Sequence, residues 1–130
     1  MPPNHWRVFF GLCSKTLGAG SKFAWASHTW CAWTTFSRLQ EDVHYWSSGL
    51  PNPDDVGEIG INDGGVWGQP FLYSDLAHLI VPARFTWERG TGAAFTTGTK
   101  TQAIDRLAME LEAQGIRFRR TDLVLELKLY

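Results

Sequence analysis

The side chains best suited to chemistry in the first half of this chain are cysteines and histidines. Cys13, His28, Cys31 and His44 include one pair, His28 and Cys31, at a spacing that a metal site can use. Structural zinc sites usually combine two close pairs, and here Cys13 and His44 stand apart. A thiol nucleophile beside a histidine would further need a lowered thiol pKa. We therefore expect no catalytic residue, no metal and no cofactor, and we interpret both cysteines as free buried thiols.

Carboxylates cluster in the middle of the chain. Asp54, Asp55, Glu58 and Asp63 lie in a turn-rich stretch, and residues 51–99 contain six acids against two arginines, a net charge of −4. The spacing does not match an EF-hand calcium loop. Acid–base catalysis would need a fixed scaffold around these groups, which the sequence does not specify. A solvated acidic face and a surface for a basic protein partner remain as interpretations.

Several function classes lack their sequence signature. There is no phosphate-binding glycine loop of the GxGxxG or GK[ST] type and no basic patch, which argues against a nucleic-acid partner. The sequence contains no run of about 18 apolar residues, so it predicts no membrane span. The N-terminus lacks the pattern of a secretory signal, so we expect a cytoplasmic protein.

Aromatic residues are unusually frequent. The chain of 130 residues contains seven tryptophans, eight phenylalanines and three tyrosines. Some must build the core, but so many wide side chains are seldom all buried. A core role, a protein interface and a pocket for a small ligand all remain open for the others.

The last thirty residues carry the clearest structural pattern. Apolar side chains recur at helical spacing and predict a helix over residues 101–114, which Gly115 ends. Leucines then alternate with other residues from Leu123 to Tyr130, which predicts an antiparallel strand with one buried face.

A second helix is predicted over residues 38–48. Ser37 and Gln40 fit a capping box, and Gly49 provides a stop. The apolar residues at helical spacing are Phe36, Leu39, Val43 and Trp46.

The remaining segments favour strands. Residues 5–13 are apolar and typical of a strand, and residues 84–89 and 93–97 predict a β-hairpin. Residues 23–36 fit either a helix or a strand buried on both faces, and their β-branched and aromatic content favours the strand. Together these patterns predict a single α+β domain, with a mainly antiparallel sheet and the helices 38–48 and 101–114 packed on it.

The C-terminal pattern also carries a resemblance. The amphipathic helix, followed by Gly115-Ile116-Arg117-Phe118-Arg119-Arg120-Thr121 and then Asp122-Leu123-Val124-Leu125-Glu126-Leu127-Lys128-Leu129-Tyr130, resembles the tails of some small bacterial α+β immunity proteins. The resemblance covers about the last 30 residues. It implies a protein that neutralises a cognate toxin by covering its active site.

These observations together predict a small protein-binding protein of the immunity or inhibitor type. The expected partner-binding residues are Asp54, Asp55, Glu58, Asp63 and Trp67. A homodimer could also form if the strand from Leu123 to Tyr130 lay at a sheet edge. The alternatives are a small enzyme with a Cys/His or carboxylate site and an aromatic-lined binder of small ligands.

Overall fold

An antiparallel sheet with helices packed against it forms the frame of the protein. The computed structural model describes residues 1–41, 44–62 and 64–130. In chain order its elements are α1 (Pro3–Leu17), β1 (Cys31–Thr35), α2 (Phe36–Glu41), β2 (Trp46–Ser48), β3 (Gly60–Ile61), β4 (Phe71–Leu72), β5 (Leu76–Pro82), β6 (Arg84–Arg89), β7 (Thr96–Thr101), α3 (Ile104–Ala113), β8 (Arg119–Arg120) and β9 (Val124–Lys128).

Five strands of the described ranges form the main sheet, in the order β2-β1-β5-β9-β8. Each neighbouring pair is antiparallel. The register places Trp33 opposite Leu79 and Leu79 opposite Leu127, so one row of large apolar side chains crosses three strands. Smaller two-stranded units join β3 to β4 and β6 to β7. The predicted α+β class with a mainly antiparallel sheet is confirmed.

The C-terminal helix matches its prediction, with a shorter extent. We expected residues 101–114, and α3 spans Ile104–Ala113. Its buried side chains are Ile104, Leu107, Ala108 and Leu111. These residues occupy one stripe at helical spacing, and the stripe belongs to the core.

The N-terminal segment is a helix, so the strand predicted over residues 5–13 is wrong. Pro3 opens α1, which suits the first helical turn because that position needs no backbone N–H donor. The buried residues of α1 are Trp6, Phe9, Phe10 and Cys13. Their spacing of three, one and three places one stripe on the core, and this helical period outweighs the β-propensity of the aromatic residues.

The helix predicted over residues 38–48 is also wrong over its second half. The described part of α2 ends at Glu41, and Trp46–Ser48 forms the edge strand β2. Val43, one of the residues that motivated the prediction, lies outside the described residues. Trp46 is paired across the sheet with Trp33, and the two rings stack with centroids 6.0 Å apart. This cross-strand aromatic contact overrides the helical spacing of Trp46.

The C-terminal strand is an inner strand, so its predicted place at a sheet edge is wrong. Leu125 and Leu127 are buried as expected, but β9 is paired with β5 on one side and β8 on the other. Among the described strands, β2 and β8 form the two edges of the main sheet. The pairing of β8 with β9 involves Leu125 and Glu126 and covers only part of this edge, so the dimer by strand addition at residues 123–130 stays a prediction.

The predicted hairpin is confirmed as β6 paired with β7, whose returning strand begins at Thr96. In the segment 23–36, the strand interpretation holds for β1, while Ala24–Ala26 forms a turn of 3₁₀-helix. In the part of the chain that the structure describes, the helices are too short or too polar to cross a bilayer.

Gly20 and Gly11 give a matched test of the packing between the loop after α1 and residue 50. A methyl group on Gly20 would overlap the Leu50 carbonyl oxygen, whereas a methyl group on Gly11, which is exposed on α1, meets no atom within 4 Å. Gly20→Ala should lower the free energy of unfolding by about 1–3 kcal/mol. Gly11→Ala should raise it by about 0.5–1 kcal/mol. Urea unfolding of both variants measures this, and similar effects from the two would contradict the packing.

Candidate functional site

The predicted acidic residues that the structure describes lie in one loop between β2 and β3. Asp54 and Glu58 are exposed, whereas Asp55 is half-buried. Asp63, the fourth predicted carboxylate, lies outside the described residues. The Asn62 backbone N–H donates to the Asp55 carbonyl oxygen at 2.8 Å, and the Asn62 side-chain amide donates to the Asp54 carbonyl oxygen at 3.2 Å. Asp54, Asp55 and Glu58 thus share one closed loop.

The Asp55 carboxylate holds this loop together. Its Oδ2 accepts hydrogen bonds from the backbone N–H groups of Asn52 at 3.1 Å and Val66 at 3.3 Å. A side chain on Gly65 would overlap the same carboxylate, so the backbone approaches it closely there. Asp55 therefore has an internal structural role, unlike Asp54 and Glu58.

Asn52 fixes the loop to the rest of the protein. Its Oδ1 accepts a hydrogen bond from the Gly20 N–H at 2.8 Å, and its Nδ2 donates to the Gly20 carbonyl oxygen at 3.0 Å. The side-chain amide thereby satisfies both backbone polar groups of Gly20, in the loop that follows α1. Two connected anchors, at Asn52 and Asp55, hold the backbone that presents Asp54 and Glu58.

Trp67 is buried in the core, away from the exposed carboxylates. Its side chain is 6% exposed and stacks on Trp33 with ring centroids 3.8 Å apart. The indole N–H donates to the Gly49 carbonyl oxygen at 3.1 Å. Trp67 is therefore a residue of the core and offers little surface to a partner.

Exposed apolar residues beside the loop were missed by sequence reasoning. Ile59 is 69% exposed and directly follows Glu58, and Leu72 is 53% exposed and pairs with Gly60. An isoleucine in a polar, glycine-rich turn was the available signal for Ile59. These two exposed apolar side chains lie beside the loop that carries Asp54 and Glu58.

The two cysteines and the two histidines of the predicted chemistry differ in their surroundings. Cys13 and Cys31 are free thiols buried in the core, as expected, and burial raises the pKa of each thiol. His28 and His44 are exposed. A raised thiol pKa is the opposite of what a cysteine nucleophile requires. No group of three potential metal ligands occurs among the described residues.

The structure instead assembles a hydrogen-bonded chain around His78, which sequence reasoning missed. The buried His78 has its Nδ1 2.7 Å from Tyr45 Oη and its Nε2 3.2 Å from Glu126 Oε2. Glu126 Oε1 lies 3.5 Å from Arg119 Nε, and Tyr45 Oη lies 3.3 Å from Tyr130 Oη. A neutral imidazole protonated at Nε2 satisfies both contacts, accepting from Tyr45 and donating to Glu126.

Tyr45 remains a protonated donor in this chain. Its pKa is raised to about 12, first by burial and then by the hydrogen bond and charge of Tyr130 and the charge of Glu126. A tyrosine nucleophile or base needs a lowered pKa. The His78 hydrogen bonds can therefore orient hydroxyl groups and link Tyr45, which precedes β2, to β5 and β9, but they do not activate the Tyr45 oxygen.

Asp55→Ala and Asp54→Ala form a matched pair that tests the anchoring of the acidic loop. Asp55→Ala removes an acceptor shared by two backbone N–H groups and should lower the free energy of unfolding by about 1–3 kcal/mol. Asp54→Ala changes an exposed side chain and should stay within about 0.5 kcal/mol of the wild type. Urea unfolding checks both, and equal effects would show that Asp55 does not hold the loop.

The raised pKa of Tyr45 predicts a loss of stability in alkali. Because the unfolded chain releases this proton near pH 10 and the folded protein near pH 12, this contribution is complete below about pH 10 and falls as the pH rises toward about 12. The absorbance difference between wild type and Tyr45→Phe should titrate near pH 12. Tyr130→Phe should move the Tyr45 midpoint downward, since one cause of the shift is removed. A difference curve centred near pH 10 would refute the assignment.

No protein-family model matches the chain, and no curated protein and no solved structure is significantly similar to it.

Proposed function

We propose that this protein is a small cytoplasmic binding protein that recognises another protein through its acidic loop, and that its partner is a toxin that it neutralises. The observation that carries the proposal is the arrangement of Asp54 and Glu58. Both carboxylates are exposed on a backbone that Asn52 and Asp55 anchor to the rest of the fold. We name the surface made by Asp54, Glu58, Ile59 and Leu72 the acidic surface.

A rigid acidic surface suits a basic protein partner. Loop anchoring lowers the entropy lost on binding, because the backbone is ordered before the partner arrives. The exposed Ile59 and Leu72 supply apolar area, and Asp54 and Glu58 supply charge that steers a basic partner. The net charge of −4 over residues 51–99 extends this attraction beyond the loop.

A toxin is the partner class that the C-terminal resemblance suggests. Nucleases bind phosphates with basic residues, and a pair of exposed carboxylates can occupy such a site in place of phosphates. On this proposal Asp54 and Glu58 contact the basic rim of the toxin, while Asp55 keeps the loop in shape.

An enzyme is the second candidate, and His78 is the residue that favours it. The Nε2 atom of His78 lies 3.2 Å from Oε2 of Glu126. The raised pKa of Tyr45 weakens this candidate, because the Tyr45 hydroxyl beside His78 keeps its proton at neutral pH.

Charge reversal at Asp54 and Glu58 tests the proposed function. Asp54→Lys with Glu58→Lys should weaken partner binding by more than about tenfold and reduce its dependence on salt, because two attractive charges become repulsive. Asp55 is left unchanged, since its loss would disturb the loop itself.

A control of equal charge change is Glu112→Lys with Asp122→Lys, at exposed positions on α3 and before β9. Extracts of the source cell supply partners for capture on each immobilised variant. The captured protein should arrest growth when expressed alone, and co-expression of the wild type or control should restore growth. Equal capture and protection by the acidic-surface variant would overturn the proposal.

A further inference from the structure

A groove between α2 and β4 contains an arginine, Arg38, that forms no ion pair with the described residues. The groove has a volume of about 660 Å³, and Arg38, Trp46 and Phe71 are among its lining residues. This size lies within the range of pockets that hold small organic ligands. Thr35 accepts a hydrogen bond from the Arg38 backbone N–H at 3.2 Å, which fixes the first turn of α2 and the starting point of the arginine side chain.

Stacking holds the Arg38 guanidinium in place. Its central carbon lies 4.4 Å from the centroid of the Trp46 ring. Trp46 in turn stacks on Trp33 and meets Phe71 edge-on, with centroids 5.1 Å apart. The guanidinium therefore rests on an aromatic layer that belongs to the core, and its orientation is set before any ligand arrives.

The same guanidinium has an unsatisfied donor. Arg38 Nε is buried and has no hydrogen-bond partner in residues 1–41, 44–62 and 64–130. Glu41 and Asp75 also line the groove, yet neither forms an ion pair with Arg38 in the described structure. The Asp75 carboxylate is instead engaged by the Ser37 hydroxyl at 3.1 Å and 3.3 Å. Because Nε has almost no accessible surface, a ligand in the groove would meet the terminal guanidinium nitrogens, which also have no hydrogen bond or ion pair with the described residues.

We propose that this groove binds a small carboxylic acid with a flat apolar body. The carboxylate would accept hydrogen bonds from Arg38, whose planar fork matches two carboxylate oxygens. The apolar body would lie against Pro70, Phe71 and Leu72, and Ser74 and Gln69 add neutral polar groups to the walls. The groove shares Leu72 with the acidic surface, but the contact of the carboxylate with Arg38 does not depend on the proposed toxin recognition.

Benzoate is a suitable probe, and benzamide is its neutral control of nearly equal shape. In titrations followed by ¹H–¹⁵N NMR of the whole chain, benzoate should shift the Arg38 Nε–H and Trp46 indole signals in a saturable way. Benzamide should bind at least about tenfold more weakly, since it carries no charge for the guanidinium. Equal binding of the two compounds, or no saturable shift with benzoate, would overturn the proposal.

Arg38→Lys and Arg38→Gln distinguish the contribution of the planar guanidinium geometry to benzoate binding from that of the positive charge. Lysine keeps the charge but lacks the fork, so benzoate binding should weaken about tenfold, and glutamine should weaken it further. Arg84→Gln, at an exposed site on β6, should bind benzoate like the wild type. Unchanged affinity in Arg38→Gln would refute the site, and if that variant does not fold, the comparison of benzoate with benzamide decides.

The acidic-surface variant distinguishes this inference from the proposed function. Asp54→Lys with Glu58→Lys should leave benzoate affinity within about twofold of the wild type, because those charges are exposed and screened by solvent. A large loss of benzoate affinity in this variant would contradict an independent site at Arg38.

Discussion

The stack of Trp33 on Trp67 is the contact on which most of this structure depends. Trp33 belongs to β1 and Trp67 to a long connection with little regular structure, yet the rings lie 3.8 Å apart and within 6° of parallel. Phe10 of α1 meets the Trp67 ring edge-on, and Phe71 meets both indoles. Such aromatic pairs contribute about 0.5–1.5 kcal/mol each beyond the area they bury. The stack thereby joins the sheet, α1 and the connection into one core.

This core explains how an irregular loop can be a well-defined surface. Few backbone ladders cross the region between β2 and β4, so side chains supply the order. Trp67 binds the Gly49 carbonyl oxygen, Asn52 pairs with Gly20, and Asp55 accepts from Val66. Each of these hydrogen bonds joins two segments that are not paired with each other in the described sheets. A loop held in this way binds a partner with less loss of entropy than a mobile one.

Sequence reasoning succeeded where local periodicity and the final contacts agree. The stripe of α3 and the alternation of β9 depend on neighbours within each element, and both were predicted. The failures came from contacts distant in sequence. Trp46 has helical spacing from its neighbours but pairs with Trp33 across the sheet. In α1, the spacing of Trp6, Phe9 and Cys13 was present, and the β-propensity of the aromatic residues concealed it.

The candidate sites show the same limit more sharply. Asp54 and Asp55 are adjacent and chemically identical, and what makes Asp55 structural is its contact with the backbone N–H groups of Asn52, nearby in the chain, and Val66, eleven residues away. His78 lies in an apolar strand that by pattern belongs to the core, and its partners Tyr45 and Glu126 are 33 and 48 residues distant. Arg38 Nε, like the indole nitrogens of Trp6 and Trp33, has no hydrogen-bond acceptor among the described residues, which no pattern along the chain can reveal. A sequence therefore locates charge and apolar surface, whereas the role of each polar group follows from partners that only the fold brings near.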